Sequence, residues 1–317
     1  MAKYRDSLPQ LKGGPFLTDG GIETTLIFHE GLDLPYFAAF DLLKDQSGQA
    51  TLRRYYASHA SIARDRDCGF ILESATWRAS SDWGAKLGYR EADMAEVNRQ
   101  SIALLVELRR LFESERAPMV ISGCVGPRGH GYKVEAAMTA EAAQAYHAKQ
   151  IDVFAETPAD MATAITMTYA EEAIGVTRAA EAAGLPVVIS FTVETDGSLP
   201  SGQSLKDAIE AVDAATGNGP AYYMINCAHP THFDDALAAG EDWVKRIKGL
   251  RANASRMSHA ELDEAAELDA GDPDELGRQY RDLRARLGHI TVMGGCCGTD
   301  HRHIEAICHA CLEAKAA

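Results

Sequence analysis

Short apolar runs alternate along the chain with longer stretches in which alanine, leucine and charged residues recur at helical spacing. Eight of these runs have the length and composition of β-strands. They lie at residues 15–18, 69–72, 119–122, 161–166, 186–192, 222–226, 246–250 and 289–293. Amphipathic helical patterns fill most of the intervals, at residues 50–66, 91–115, 140–154, 170–183 and 204–215.

Regular alternation of strand and helix is typical of a parallel sheet, because each parallel connection needs a crossover element. Eight strand-helix units favour a closed (β/α)8 TIM barrel over an open, doubly wound sheet. Residues 258–285 are acidic and polar, which predicts a solvated helix and loop inserted before the last strand. We therefore expect residues 1–317 to form one barrel domain with an acidic insertion around 258–285.

The composition narrows the class of protein. The chain has 317 residues, of which 46% are hydrophobic, which is enough apolar material for one large core. Its net charge of −15 disfavours nucleic acid and anionic membranes as partners. No signal-like apolar segment opens the chain, and no apolar run approaches the roughly 18 residues of a membrane span. We expect a cytoplasmic enzyme that acts on small molecules, and a homo-oligomeric state stays open.

Three of the seven cysteines occupy positions that suggest a metal site. Cys227 directly follows the sixth predicted strand, and Cys296 and Cys297 follow the eighth. The carboxyl ends of all strands in a barrel meet at one face, so these three sulfurs can come together there. The odd cysteine count and the adjacent pair favour reduced thiols or metal ligands over disulfides. Three thiolates make a zinc site with one open position, which can accept a substrate thiol and hold it deprotonated.

The sequence around these cysteines resembles the homocysteine S-methyltransferase family. Residues 294–299, Gly-Gly-Cys-Cys-Gly-Thr, match the closing zinc motif of that family. Asn226 and Cys227 match the Asn-Cys pair after its sixth strand. Residues 19–24, 76–80 and 123–127 resemble the family segments that follow the first three strands, so that the resemblance covers most of the chain.

The resemblance implies a Zn²⁺ ion held by Cys227, Cys296 and Cys297. It also implies the reaction, which is transfer of a methyl group from a sulfonium, ammonium or folate-type donor to the thiol of homocysteine, giving methionine. The cysteines act in that reaction through the zinc. The candidate substrate-binding residues are Asp19, Glu23, Glu73, Trp77, Arg78, Glu194 and Asn226.

The chain departs from the family pattern at two places. Where the family carries a Glu-Thr pair whose Glu helps to bind the homocysteine ammonium, this chain has Ile165 and Thr166. We expect Glu23 or Glu194 to bind that ammonium instead, because a buried charge needs a partner.

Arg78 is the second departure, since the betaine-dependent enzyme has a tyrosine at this position. A guanidinium repels a quaternary ammonium and pairs with a carboxylate. Betaine also has a carboxylate, but its short length would force its cation near the same arginine. We therefore expect a longer methyl donor with an accessible acid group rather than betaine.

Two other classes of function stay open at this point. One is a zinc-dependent barrel hydrolase, which would use histidine and carboxylate ligands. No His-x-His follows the first predicted strand, so the ligand chemistry argues against this class. The chain can also be a zinc-binding barrel with another thiol acceptor, or a small-molecule binding protein without catalytic activity.

Overall fold

The computed structural model describes residues 1–237 and 241–312. Eight parallel strands pair in chain order, and β1 pairs with β8 to close a barrel. The strands are β1 Phe16–Leu17, β2 Gly69–Glu73, β3 Met119–Val125, β4 Met161–Met167, β5 Val187–Phe191, β6 Tyr222–Asn226, β7 Ile247–Ala252 and β8 Val292–Gly295. Every predicted strand has a counterpart, and the predicted (β/α)8 TIM barrel is confirmed.

Helices of 12 to 22 residues surround the strands. They are α2 Gln46–Asp65, α4 Glu91–Phe112, α5 Ala140–Ala155, α6 Ala170–Ala182, α7 Leu205–Thr216, α10 Pro273–Arg286 and α11 His301–Leu312. Short α-helices lie in the connecting segments, namely α1 Ile22–Thr24, α3 Ser81–Lys86, α8 Pro230–Phe233 and α9 His259–Glu264. A π-helical turn covers Thr25–His29, and 3₁₀ turns cover Pro9–Lys12, Pro35–Phe37, Ala39–Lys44 and Asp242–Arg246. None of the helices in the described residues combines the length and apolarity needed to cross a bilayer.

The strands read as nearly continuous apolar runs because helices cover one face of the sheet and the barrel interior fills the other. All residues of β2 to β6 are buried. Inside the barrel, Phe16, Val120, Tyr222 and Val292 pack together, and Leu8 from the N-terminal segment joins them. The interior is therefore a packed core, and the open space lies at the carboxyl ends of the strands.

Residues 258–285, where the sequence predicts an acidic insertion, contain α9, a connecting segment and α10. Helix α10 lies between β7 and β8 in the chain and packs on α11. It buries Leu276, Tyr280 and Leu283 and exposes its charged face. The segment that contains α9 extends over the barrel mouth, where Leu262 and Leu268 line a cavity.

Candidate active site

A cavity of about 270 Å³ lies at the carboxyl ends of the strands. Most of the residues that the sequence predicts for the site line it, namely Asp19, Glu23, Glu73, Trp77, Arg78, Cys227, Cys296 and Cys297. Asn226 and Glu194 are not among the described residues of the cavity wall. The barrel thus brings together residues that are up to 278 positions apart in the chain, because the carboxyl ends of the four strands β1, β2, β6 and β8 meet at this face.

Cys227, Cys296 and Cys297, called the sulfur cluster below, have Sγ atoms that all lie within 4.8 Å of one another. In the described part of the chain, they are the one group of three or more potential metal ligands that meets this limit. Four sulfurs at about 2.3 Å around a tetrahedral zinc would be about 3.8 Å apart. The Sγ atoms of Cys227 and Cys297 are 3.8 Å apart, and three soft donors on one wall suit zinc.

One prediction about these cysteines needs correction. The sequence favoured reduced thiols or metal ligands over disulfides. The structure joins Cys227 and Cys296 as a disulfide with Cα atoms 5.4 Å apart, while the three sulfurs still form a group that could hold a metal ion. The two residues meet because β6 and β8 flank β7, an adjacency that the sequence does not display. Cys297 stays a free thiol, and burial raises its pKa to about 11.

Asn226 positions two strand ends, and its Nδ2 also lies 3.9 Å from Cys296 Sγ. Its Oδ1 accepts hydrogen bonds from the backbone N of Thr166 at 2.9 Å and from Ser190 Oγ at 2.6 Å. Its Nδ2 donates to Thr166 Oγ1 at 2.8 Å. Thr166 has φ 66° and Cys227 has φ 53°, which are unusual values for residues other than glycine. The buried amide therefore stabilises a strained backbone at the ends of β4 and β6.

The glycines of the closing motif are required by close contacts. A Cβ at Gly295 would collide with the side chain of Thr299, and a Cβ at Gly294 would collide with Thr18. Gly298 has φ 80°, in the left-handed region that favours glycine. This turn directs Cys296 and Cys297 toward the end of β6.

Sequence reasoning missed Arg251, which lies on the cavity floor at the end of β7. Its Nη2 donates to Asp19 Oδ1 at 2.6 Å, and its Nη1 donates to Glu73 Oε2 at 3.3 Å. The hydroxyl of Tyr55 shares its hydrogen between the other oxygen of Asp19, at 3.1 Å, and the carbonyl oxygen of Gly20, at 2.9 Å. Although burial opposes its charge, the two carboxylates keep the pKa of Arg251 above its usual value. Both oxygens of Asp19 are therefore occupied by the protein itself.

Two carboxyl groups on the wall have perturbed pKa values. Burial raises the pKa of Glu73 to about 7 despite the neighbouring charge of Arg251. Burial also raises the pKa of Glu23 to about 7, with a smaller contribution from the charge of Asp19. Among the described residues, Glu23 has charge interactions with Arg78 and Arg251 but no side-chain hydrogen bond to either.

Arg78 lies between two indole rings. Its Cζ is 3.8 Å from the ring centroid of Trp77 and 3.8 Å from that of Trp83. Its Nη1 donates to the carbonyl of Gly129 at 2.9 Å, while its Nε is buried and has no partner in the part of the chain that the structure describes. Burial lowers the pKa of Arg78 to about 10, against the charge of Glu23. Both faces of the guanidinium are covered, and the Nε without a partner among the described residues is itself shielded from solvent.

Two further residues near the sulfur cluster give no signal in the sequence. The phenol oxygen of Tyr132 is 3.4 Å from Cys297 Sγ, and its ring stacks on His259 with centroids 4.0 Å apart. His259 Nε2 lies 2.8 Å from the carbonyl oxygen of Cys227, and its Nδ1 lies 3.1 Å from Glu194 Oε1. Glu194 therefore contacts the site through His259.

The geometry agrees with comparisons to known proteins. The sequence model described as "Homocysteine S-methyltransferase" matches residues 16–311. Homocysteine S-methyltransferase 4 of Zea mays is 23% identical over 329 residues, covering 96% of this chain and 91% of the relative.

Solved structures of the homocysteine methyltransferase MmuM from Escherichia coli have the same fold. The oxidised form superposes with a TM-score of 0.71 at 19% identity, covering 95% of this chain and 97% of that one. The metallated form gives a TM-score of 0.68 at 18% identity, covering 96% and 98%. Because the family model spans nearly the whole barrel, the resemblance seen in the sequence is confirmed, and the chain belongs to the homocysteine S-methyltransferase family of methyltransferases.

Proposed function

We propose that the protein transfers a methyl group from a donor with a carboxylate to the thiol of homocysteine, at a zinc site formed by the sulfur cluster. The observation that carries this proposal is the convergence of three Sγ atoms within 4.8 Å on the cavity wall of a methyltransferase. The names of its relatives support homocysteine as the acceptor, and the metallated form of MmuM supports a metal. The product would be methionine, made in the cytoplasm.

Two electrons are needed to open the Cys227–Cys296 disulfide before all three sulfurs can bind a metal. When bound, zinc lowers the pKa of a thiol that joins it, so that a thiolate is available at neutral pH. In the methyl transfer, a bond forms between the acceptor sulfur and the methyl carbon. The bond from that carbon to the donor sulfur or nitrogen breaks, and its electron pair leaves with the donor.

The charges on the wall support a binding mode for the acceptor. Asp19 already pairs with Arg251 and Tyr55, and Ile165 offers no charge at the end of β4. Glu23 faces the cavity without such a partner, so we assign it the acceptor ammonium. Glu194 is the less suitable alternative, because His259 separates it from the cavity.

The donor is assigned from the surroundings of Arg78. Its Nε edge suits a carboxylate, while the two indole faces that could hold a quaternary ammonium are covered by the guanidinium. This arrangement favours donors such as S-methylmethionine or a folate with a glutamate tail over betaine.

A screen of methyl donors tests the proposal. The protein is reduced with a phosphine, loaded with zinc, and mixed with homocysteine and each donor, and methionine is measured by mass spectrometry. We expect methionine from a carboxylate-bearing donor other than betaine, with loss of the product in Cys297→Ala and retention in Cys311→Ala, which changes a buried cysteine of α11. Absence of methionine with every donor would reject the proposed reaction.

A further inference from the structure

We infer that Tyr132 is a positioning residue of the metal centre, which donates its phenol hydrogen to the Cys297 sulfur while His259 and Glu194 hold it in place. The inference rests on the proposed function, because it requires a metal at the sulfur cluster. It assigns Glu194 to the support of the sulfurs and not to the acceptor ammonium.

The direction of the hydrogen bond follows from the chemistry of the two groups. The phenol oxygen lies 3.4 Å from Cys297 Sγ, within reach of an O–H to sulfur hydrogen bond. A sulfur that binds a metal carries no hydrogen, so Tyr132 must be the donor. Such a bond withdraws electron density from the sulfur.

His259 fixes the plane of the tyrosine ring. The carbonyl oxygen of Cys227 can only accept, so His259 Nε2, at 2.8 Å, carries a hydrogen. On the other side of the ring, His259 Nδ1 lies 3.1 Å from Glu194 Oε1, so the imidazole is held at both of its nitrogens.

The stacked rings of Tyr132 and His259 connect Cys297 with Cys227. The rings of Tyr132 and His259 are 4.0 Å apart and inclined by only 7°. The imidazole covers one face of the phenol ring and so fixes the direction in which the Tyr132 hydroxyl points. Through this pair, Tyr132 contacts the sulfur of Cys297 and His259 contacts the backbone of Cys227.

The hydrogen bond from Tyr132 changes the charge on one ligand of a site with three thiolates. Three thiolates and one Zn²⁺ carry a net charge of −1, which makes every sulfur electron-rich and weakens the attraction of the metal for a fourth thiolate. A hydrogen bond to Cys297 reduces the negative charge on that ligand. It also lowers the nucleophilicity of a protein sulfur that faces the methyl donor. Groups that hydrogen-bond to metal ligands typically change metal affinity by about 10- to 100-fold.

The test replaces zinc with Co²⁺, whose absorption reports the sulfur ligands. Tyr132→Phe keeps the ring and removes the hydroxyl. We expect its sulfur-to-cobalt charge-transfer band to move to lower energy, because an unbonded thiolate is easier to oxidise. We also expect zinc to be released to a chelator about tenfold faster than from the unmutated protein. Tyr146→Phe is the matched control, since the Tyr146 hydroxyl bonds Ser80 Oγ at 2.9 Å and does not line the cavity.

Glu194→Gln provides a second variant at a more exposed position. It removes the carboxylate that holds His259 at Nδ1, so the stacked rings are less firmly positioned, and we expect a smaller shift in the same direction. Unchanged spectra and zinc release in Tyr132→Phe overturn the inference, as does an equal shift in Tyr146→Phe. If Tyr132→Phe does not fold, an unchanged band in Glu194→Gln overturns it. Failure of the reduced, unmutated protein to bind Co²⁺ or Zn²⁺ would instead reject the metal site itself.

Discussion

Glu23 offers the sharpest test of how the acceptor binds. Its pKa of about 7 follows mainly from burial at the cavity wall. With this pKa, roughly a tenth of the Glu23 side chains are ionised at pH 6 and roughly nine tenths at pH 8. An ammonium binds to the ionised form, so the affinity that Glu23 contributes is present above the pKa and is lost as the pH falls through it.

Glu23→Gln keeps the shape of the side chain and removes its charge. Loss of a hydrogen bond between charged groups costs about 1.5–3 kcal/mol, and we use this range because Glu23 is only partly enclosed. The dissociation constant of homocysteine at pH 8 should therefore rise about 10- to 150-fold. At pH 6 the ratio of the two dissociation constants should be about tenfold smaller, because most Glu23 side chains are then neutral.

Calorimetry of homocysteine binding to the reduced, zinc-loaded proteins between pH 6 and pH 8 measures this effect. The acceptor thiol titrates in the same way with both proteins, so its pH dependence cancels in the ratio of the two dissociation constants. Glu267→Gln is the control, since Glu267 is an exposed acid at the same cavity. Equal affinities for Glu23→Gln and the unmutated protein across this pH range would refute the assignment of the ammonium to Glu23.

Three further results are expected. Reduced protein should bind about one Zn²⁺ per chain, measured by metal analysis after dialysis. Alanine at any member of the sulfur cluster should abolish tight binding, while Cys311→Ala should retain it. Arg78→Met should raise the KM of the true donor at least about tenfold, and strong betaine-dependent activity of the unmutated protein would contradict the assignment of Arg78. Asn226→Leu should lower the free energy of unfolding by about 2–4 kcal/mol in urea titrations, because two buried donors, the Thr166 N–H and the Ser190 hydroxyl, lose their acceptor. An unchanged urea midpoint would show that these donors find other partners.

The apolar runs and their helical intervals were sufficient to predict the barrel, because the periods of strands and helices are local properties of the sequence. The same reasoning located the sulfur cluster, since a cysteine directly after a strand must lie at the carboxyl end of the barrel. The family motif added the expectation of a metal and of a thiol acceptor. Strand limits were less accurate, and β7 continues beyond the predicted end to include Arg251.

Tertiary structure alone decided how the charged residues are paired. Arg251 and Asp19 are 232 positions apart. Nothing in either segment of the sequence indicates that the guanidinium of Arg251 forms an ion pair with the carboxylate of Asp19. The contact between Tyr132 and Cys297 likewise joins two loops that are 165 positions apart. Secondary structure is determined by neighbouring residues, whereas the partner of a side chain at the barrel mouth depends on how separate loops fold over the same cavity. The sequence therefore determined which residues reach the active-site face, and the tertiary structure determined which of them remain free to bind a substrate.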